Sequence, residues 1–345
     1  MSRDRAGVLA RRLAAHGLGA PRFASPAEVV GGLAAVQGQE PPGATWAIAQ
    51  RLASPSRAAV VTALDAGDLL RTHVLRPTWH IVARDDLRWM QAATGDRVER
   101  AVGTWYRQLG LDAAEFARTD RIIEAAIRRD GERIRPELTA ELAAGGVDVA
   151  DPVRVQHVLM HAEVTALVVS GARRGKQETY ALVEERAPAA TALAPAEPLP
   201  ELARRYLVGH GPATVRDLAW WSGMTLTAAR AAVASISDDL RFDTVDGVEY
   251  WSLADATDAD EPSGILLLPA YDEYVVGYAD RSLFTPEGFA GNPVFQNVVV
   301  RRGEIIGTWQ PNVAGVAPDL VTVLSAGERT ELDAAIERYD RYRNS

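Results

Sequence analysis

Residues 201–251 read ELARRYLVGHGPATVRDLAWWSGMTLTAARAAVASISDDLRFDTVDGVEYW, and no other stretch of the chain indicates its fold so clearly. Leu202 and Tyr206 lie four residues apart on one predicted helix face, and a second predicted helix ends just before Gly223. A third helix follows, and then two short strands flank Asp246-Gly247, a dipeptide typical of a two-residue hairpin turn. Helices joined by a glycine-containing turn and followed by a hairpin predict a winged helix.

Two earlier segments show the same order of helices followed by strands. In the first, Ser25-Pro26-Ala27-Glu28 predicts a helix start, with Ser25 as the N-cap and Glu28 closing a capping box. That helix is predicted to end near Val36, because glycine and proline follow it. Two strands are then predicted at Leu69–Val74 and Trp79–Val82, joined around Arg76-Pro77.

The second segment, from about Asp85 to Arg186, begins with a long arginine-rich amphipathic stretch. Asp151-Pro152 predicts the start of a helix that reaches about Ser170, and a strand is predicted at Thr179–Val183. The alanine- and proline-rich residues 187–200 predict a linker.

The C-terminal part is predicted to be rich in strands from Gly264 to Gln310. Val298–Arg301 and Ile305–Trp309 flank Arg302-Gly303, which indicates a second tight hairpin. A helix over about Ser325–Tyr342 is predicted to close the chain.

We therefore predict an α+β fold that is mainly helical, with three tandem winged-helix units and a small C-terminal β subdomain. The predicted bounds are 1–84, 85–190 and 200–254 for the three winged helices and 264–345 for the β subdomain.

Composition restricts the class of protein further. The 345 residues include no cysteine, so disulfides and cysteine-based zinc sites are excluded. The longest uncharged apolar stretches are too short to span a bilayer, and residues 1–12 lack the apolar region of a secretory signal. These features predict a cytoplasmic protein without a membrane partner.

The net charge of −9 argues against a nucleic-acid partner when it is considered alone. The charge is unevenly distributed, however. Residues 255–261 hold four carboxylates and no base, whereas Arg71–Arg107 holds seven arginines against four acids. A local basic face therefore remains compatible with the composition.

Four short motifs, in this order along the chain, resemble those of the AlkZ/YcaQ-like winged-helix DNA glycosylases. Val36-Gln37-Gly38-Gln39 resembles the Gln-x-Gln catalytic motif of the AlkZ-like subgroup, with glycine where that motif has a bulky apolar residue. Arg76–His80 resembles the family's Thr-Trp-His strand. Leu268–Tyr274, followed by Asp280-Arg281, and Gly307–Trp309 resemble its C-terminal signatures.

The resemblance implies a monofunctional DNA glycosylase of base excision repair. Its implied substrate is double-stranded DNA carrying N7-alkylated purines, including interstrand crosslinks through guanine N7. Neither a metal nor an organic cofactor is implied.

The two glutamines of the Gln-x-Gln motif suit the release of an alkylated base. An N7-alkylated guanine is cationic and leaves easily, so the enzyme chiefly needs to orient a water molecule at an oxocarbenium-like sugar. Gln37 and Gln39 are the candidate catalytic residues, because their amides can hold that water by orientation. The alternative is that both amides satisfy helix-end carbonyls. Glu40 is interpreted as a solvated loop acid.

Four residues are candidate DNA contacts. Arg76 is the candidate phosphate contact, and Arg301 and Arg302 form a candidate probe of a DNA groove, with a solvated turn as the alternative. His80 is either a DNA contact or a buried, hydrogen-bonded histidine.

Two further patterns favour packing over function. His157 and His161 have the helical spacing of a metal-binding pair, but no third ligand accompanies them. Trp220-Trp221 favours a core position over a stacking platform. A non-enzymatic winged-helix transcriptional regulator is the alternative function, and a protein-interaction scaffold is a third, because fold does not fix function.

Overall fold

A computed structural model describes residues 3–20, 22–188, 195–256, 264–313 and 315–345. The chain divides into two compact units, the first comprising Met1–Val61 with Leu199–Ser345 and the second comprising Thr62–Pro198. Residues 189–194 of the predicted linker and 257–261 of the acidic stretch lie outside the described residues.

The first unit combines helices with a small sheet and a hairpin. Its helices are α1 (Arg3–Ala15), α2 (Pro26–Leu33), α3 (Pro41–Ala49), α4 (Arg57–Ala66, which continues into the second unit), α10 (Pro198–His210), α11 (Val215–Ser222), α12 (Leu226–Ser235), α13 (Glu273–Val276) and α14 (Ala326–Arg343). Its strands are β1 (Val36–Gln37), β7 (Leu240–Val245), β8 (Val248–Leu253), β9 (Ile265–Leu268), β10 (Val298–Arg301), β11 (Glu304–Asn312) and β12 (Gly315–Leu320).

Two tight turns in this unit follow the sequence prediction. Strands β7 and β8 pair antiparallel around Asp246 and Gly247, whose φ angles are 52° and 78°. Strands β10 and β11 pair around Arg302 and Gly303, whose φ angles are 50° and 86°. Two consecutive positive φ angles give the turn the twist that suits a two-residue hairpin. The four C-terminal strands form one sheet in the order β12-β11-β10-β9.

The second unit packs helices around two sets of strands. Its elements are α5 (Leu87–Gln108), α6 (Ala113–Asp130), α7 (Arg135–Ala144), α8 (Pro152–Val164), α9 (Val183–Arg186), β2 (Leu69–His73), β3 (Trp79–Ala83), β4 (Arg133–Ile134), β5 (Val168–Ser170) and β6 (Thr179–Leu182). Strands β2 and β3 form an antiparallel hairpin, and β4, β6 and β5 form a three-stranded antiparallel sheet. Apolar side chains of α5, α6, α7 and α8 form the core.

Several predicted boundaries are wrong, each for a local reason. Helix α2 ends at Leu33 rather than near Val36, because Ala34 adopts a positive φ of 64° and ends the helical path. Pro41 and Pro42, which follow that helix, occupy the first positions of α3, where a missing N–H costs nothing. Helix α8 ends at Val164 rather than near Ser170, since Ala166 has a φ of 60° and β5 follows. Strand β12 was not predicted.

The division into three winged helices and a β subdomain stays a prediction as to its bounds. Among the described residues, no helix is both long enough and apolar enough to cross a membrane.

Candidate active site

The Gln-x-Gln motif lies in the first unit, between the end of α2 and the start of α3. Val36 and Gln37 form the two-residue strand β1, and Gln37 is buried with 4% of its surface exposed. Gly38 is also buried, whereas Gln39 is exposed. The motif thus presents one amide side chain inside the protein and one at its surface, within a short connection closed by the prolines of α3.

The backbone of the motif is held by a carboxylate far away in sequence. The main-chain N–H of Gln37 donates to Glu273 Oε1 at 2.7 Å. The other oxygen of Glu273 accepts from Trp221 Nε1 at 3.0 Å and lies 3.2 Å from His210 Nε2. Glu273 is 1% exposed, so this carboxylate obtains its stabilisation from protein donors in place of water.

The neighbouring carboxylate is also buried and fully paired. Asp272 accepts from Arg51 at 2.8 Å and 2.9 Å, one bond to each carboxylate oxygen, in the bidentate geometry that gives strong ion pairs. Gln50 donates to the same carboxylate at 3.2 Å, and the main-chain N–H of Tyr274 does so at 2.9 Å. Asp272 therefore caps α13 and fixes the position of Glu273.

The strand that leads into these carboxylates is fixed by two indoles. Trp46 Nε1 donates to the carbonyl of Leu267 at 2.7 Å, and Trp309 Nε1 donates to the carbonyl of Leu268 at 2.9 Å. A Cβ atom added to Gly43 would lie 3.3 Å from Pro269 Cβ, so α3 approaches this segment closely. The C-terminal signatures of the sequence thus support the helix that follows the Gln-x-Gln motif.

The sequence contained a signal for these supporting residues. Between Leu266 and Tyr278, Asp272 and Glu273 are the only charged residues in an otherwise apolar and aromatic stretch. Carboxylates in such surroundings become buried and need partners. The partners were not identifiable from the sequence, because Arg51 lies 221 residues from Asp272 along the chain.

Two more ionisable side chains are buried near this network. His16 Nε2 lies 3.0 Å from the hydroxyl of Tyr278, which donates to the carbonyl of His210 at 2.7 Å. Burial lowers the pKa of His16 well below its ordinary value, and the nearby His210 and Arg51 lower it further. Arg12 donates to the carbonyl of Pro212 at 2.8 Å and lies over the Tyr278 ring.

The Arg301–Arg302 turn lies in the same unit and is attached to its core. Arg301 forms an ion pair with Glu328 at 2.9 Å, and Arg302 is exposed. The Tyr274 hydroxyl donates to the carbonyl of Gly303 at 2.8 Å, and a Cβ atom at Gly303 would lie 2.8 Å from Leu9 Cβ. The tip of this hairpin is therefore held rigidly, and its role as a DNA probe stays a prediction.

Arg76 and His80 lie in the second unit. His80 is fully buried, its Nδ1 donates to the carbonyl of Thr78 at 2.9 Å, and its Nε2 lies 3.5 Å from Arg76 Nη2. Burial lowers the pKa of His80 well below its ordinary value, and Arg76 adds to the shift. The structure thus shows the buried, hydrogen-bonded histidine that the sequence left open. Contact of Arg76 or His80 with DNA stays a prediction.

The strand that carries His80 is anchored by another buried carboxylate. Glu163 of α8 pairs with His73 Nδ1, and Trp79 Nε1 lies 3.4 Å from its second oxygen. The guanidinium of Arg71 lies 4.3 Å from the centre of the Trp79 ring. These contacts fix the β2–β3 hairpin against α8.

The remaining sequence patterns have packing roles. His161 stacks on Phe116 with ring centres 3.7 Å apart, and His157 stacks on Trp105 at 5.8 Å. Among the described residues, no three His, Asp or Glu side chains form a group that could hold a metal ion. Trp221 is fully buried, whereas Trp220 is 46% exposed, so only one of the two indoles belongs to the core.

Comparisons with known proteins identify the family and the fold of the chain. A family model described as "DNA glycosylase AlkZ-like" matches residues 30–342. The interstrand DNA cross-link repair glycosylase of Streptomyces sahachiroi is 26% identical over 313 residues, which cover 83% of this chain and 82% of that protein. The solved structure of Streptomyces sahachiroi DNA glycosylase AlkZ has a TM-score of 0.80 and 23% identity, covering 99% of this chain and 96% of the other. The structural likeness confirms the predicted fold class.

Proposed function

The chain belongs to the AlkZ-like DNA glycosylase family, and from that membership we propose that it excises N7-alkylated purines from double-stranded DNA and unhooks interstrand crosslinks. Membership in a glycosylase family disfavours the alternative of a non-enzymatic transcriptional regulator. The crosslink proposal draws on the printed name of the Streptomyces sahachiroi relative. We also propose that the protein acts in the cytoplasm.

The observation that carries the proposal is the arrangement of Gln37 and Gln39. The backbone of Gln37 is fixed by a buried carboxylate, and two residues later Gln39 reaches the surface. Neutral amides suit a reaction whose leaving group is already cationic, because the reaction needs an oriented water more than a strong base. Gln37 and Gln39 are proposed to hold that water against the anomeric carbon.

The composition supports a monofunctional reaction, in which the base is released and the DNA strand stays intact. A combined glycosylase and lyase reaction proceeds through a Schiff base, for which lysine is the usual nucleophile. Lys176 is the sole lysine of the chain and is exposed in the turn between β5 and β6. We expect abasic sites that break only after alkali, and no covalent complex trapped by borohydride.

The test is release of N7-methylguanine from an oligonucleotide duplex at saturating protein. Gln37→Ala and Gln39→Ala should each slow release by at least about tenfold, which is less than a general acid or base contributes, because an amide orients water without accepting its proton. Duplex affinity should change little. Gln108→Ala, an exposed glutamine at the end of α5, is the matched control. Unchanged release from the double alanine variant would overturn the assignment.

A further inference from the structure

We propose that Glu273 is a positioning residue for the Gln-x-Gln motif, and that His210 and Trp221 hold its carboxylate in place. This inference rests on the proposed function of Gln37 and Gln39. It assigns a role to the C-terminal signature, which the chemistry of base release leaves unexplained.

The bond between Glu273 and the Gln37 N–H takes the place of an ordinary backbone partner. The Gln37 N–H donates to Glu273 Oε1 at 2.7 Å, and both residues are buried. An ionised acceptor makes a stronger hydrogen bond than a neutral carbonyl does. The bond therefore fixes the backbone from which the Gln37 side chain projects, and Gly38-Gln39 continues from that fixed point.

The side chain of Glu273 is itself held in place by contacts from two helices and by its neighbour Asp272. Its Oε2 accepts from Trp221 of α11 and faces His210 of α10, while Asp272, held by Arg51, caps the helix that begins with Glu273. His210 Nδ1 in turn lies 3.2 Å from the carbonyl of Tyr206. Both nitrogens of His210 thus face oxygen acceptors, Nδ1 the carbonyl of Tyr206 and Nε2 the carboxylate of Glu273.

A glutamine at position 273 cannot accept both hydrogen bonds that the Glu273 carboxylate accepts. An amide that turns its oxygen toward the Gln37 N–H points its NH₂ group at the Trp221 indole N–H, which is also a donor. The reversed amide points its NH₂ group at Gln37 itself. Glu273→Gln therefore keeps the volume of the side chain and removes one of the two bonds in either orientation.

The experiment measures hydrogen exchange in peptide 34–40 together with base release. We expect Glu273→Gln to accelerate exchange of the Gln37 amide by at least about fivefold, because one amide orientation loses the bond and the other keeps it only to a neutral oxygen, which makes a weaker bond than a carboxylate does. Single-turnover release of N7-methylguanine at saturating protein should fall by at least about tenfold, while the dissociation constant for the duplex stays within about twofold.

The matched control is Asp217→Asn, which alters another buried carboxylate of the first unit; Asp217 accepts from the main-chain N–H groups of Thr214 and Ala279, and none of the bonds that the structure gives it goes to the motif. At equal global stability it should leave exchange in peptide 34–40 nearer to the wild-type rate than Glu273→Gln does. Equal acceleration in both variants, or unchanged Gln37 exchange in Glu273→Gln, would overturn the proposal.

A milder pair covers the case in which Glu273→Gln does not fold. Trp221→Phe removes one donor to Glu273 and should change exchange and release in the same direction by a smaller factor. Trp89→Phe, which removes a buried indole donor to Asp86 in the second unit, should change neither. Equal effects of the two would overturn the proposal. A wild-type protein that releases no base would refute the proposed function alone, since the exchange result tests the position of Gln37 without it.

Discussion

Each unit of the protein contains a buried glutamate that faces a histidine and a tryptophan indole. In the first unit Glu273 faces His210 and Trp221. In the second unit Glu163 faces His73, with the indole of Trp79 at a longer distance. The same combination of a glutamate, a histidine and a tryptophan indole therefore occurs once in each unit, in stretches of unrelated sequence.

The difference lies in what else the glutamate holds. Glu273 uses its carboxylate to accept from the backbone of the Gln-x-Gln motif. Glu163 makes no such bond among those that the structure gives for the described residues, and its main-chain carbonyl accepts from Gln91 at 2.5 Å. The second group thus joins α5, α8 and the β2–β3 hairpin. The comparison teaches that one kind of buried ionic group can serve either a functional motif or the framework.

Removing Glu163 from the second unit should cause the largest loss of stability. Glu163→Ala removes the acceptor that faces His73 and Trp79, and loss of one partner from a buried pair should lower the free energy of unfolding by about 3–5 kcal/mol. Urea unfolding monitored by circular dichroism measures the change. Glu124→Ala, whose ion pair with Arg128 lies at the surface, is the control and should lower the free energy of unfolding far less. A similar small loss in both variants would show that Glu163 is not an anchor.

A smaller loss of stability is expected from Gly277→Ala, which disturbs Glu273 and His210 in the first unit without removing a charge. A Cβ atom at Gly277 would lie 2.7 Å from His210 Cδ2 and 2.6 Å from the carbonyl of Glu273, so Gly277→Ala must displace one of them. Overpacking of this kind should cost about 1–3 kcal/mol. Gly103→Ala in α5 meets nothing closer than 3.7 Å and should instead stabilise the protein by about 0.5–1 kcal/mol. Thermal unfolding of both variants checks the opposite signs.

The stability of the protein should also depend on pH, because each unit contains a buried histidine with a lowered pKa. His16 in the first unit and His80 in the second have pKa values well below 6.5 when folded, mainly because they are buried. Their unfolded forms bind protons first as the pH falls, so stability is lost from about pH 6.5 downward until the folded pKa is reached. Each histidine should cost about 1.4 kcal/mol at pH 5.5 relative to pH 8.

Urea unfolding between pH 8 and pH 5.5 measures this loss. His16→Gln and His80→Gln should each flatten the pH dependence by one histidine's share, whatever their effect at pH 8. A dependence that neither substitution changes would mean that both histidines protonate in the folded protein as readily as in the unfolded chain.

The smallest effects on stability come from the arginines of the two hairpins. Arg301→Ala breaks a solvent-screened ion pair with Glu328 and should change the free energy of unfolding little. Functionally we expect a contrast: Arg76→Ala should weaken binding to damaged and undamaged duplex alike and reduce the salt slope by about one. Arg301→Ala with Arg302→Ala should reduce excision more than binding. Fluorescence anisotropy at several salt concentrations, beside the release assay, separates the two outcomes.

Equal losses from both hairpins in both assays would make Arg301 and Arg302 further phosphate contacts. No loss from the Arg301–Arg302 variant would place the probe elsewhere, and the Arg173-Arg174-Gly175 turn is the next candidate.

Features that depend only on neighbouring residues could be predicted from the sequence alone. Asp246-Gly247 and Arg302-Gly303 predicted tight hairpins, and Ser25 and Ser325 begin their helices as N-caps. These outcomes follow from local conformational preference and local hydrogen bonding, which a few consecutive residues fully specify. The order of the four short motifs likewise indicates the family without any knowledge of tertiary contacts.

The residues that support the candidate site come from distant parts of the chain and are brought together by packing. Gln37 and Glu273 are 236 residues apart, and nothing in the spacing of either motif predicts their bond. The same holds for Arg51 with Asp272 and for Trp221 with Glu273. A buried carboxylate needs donors, but which donors reach it depends on how distant elements pack. The sequence specifies that requirement, and the fold selects the residues that meet it.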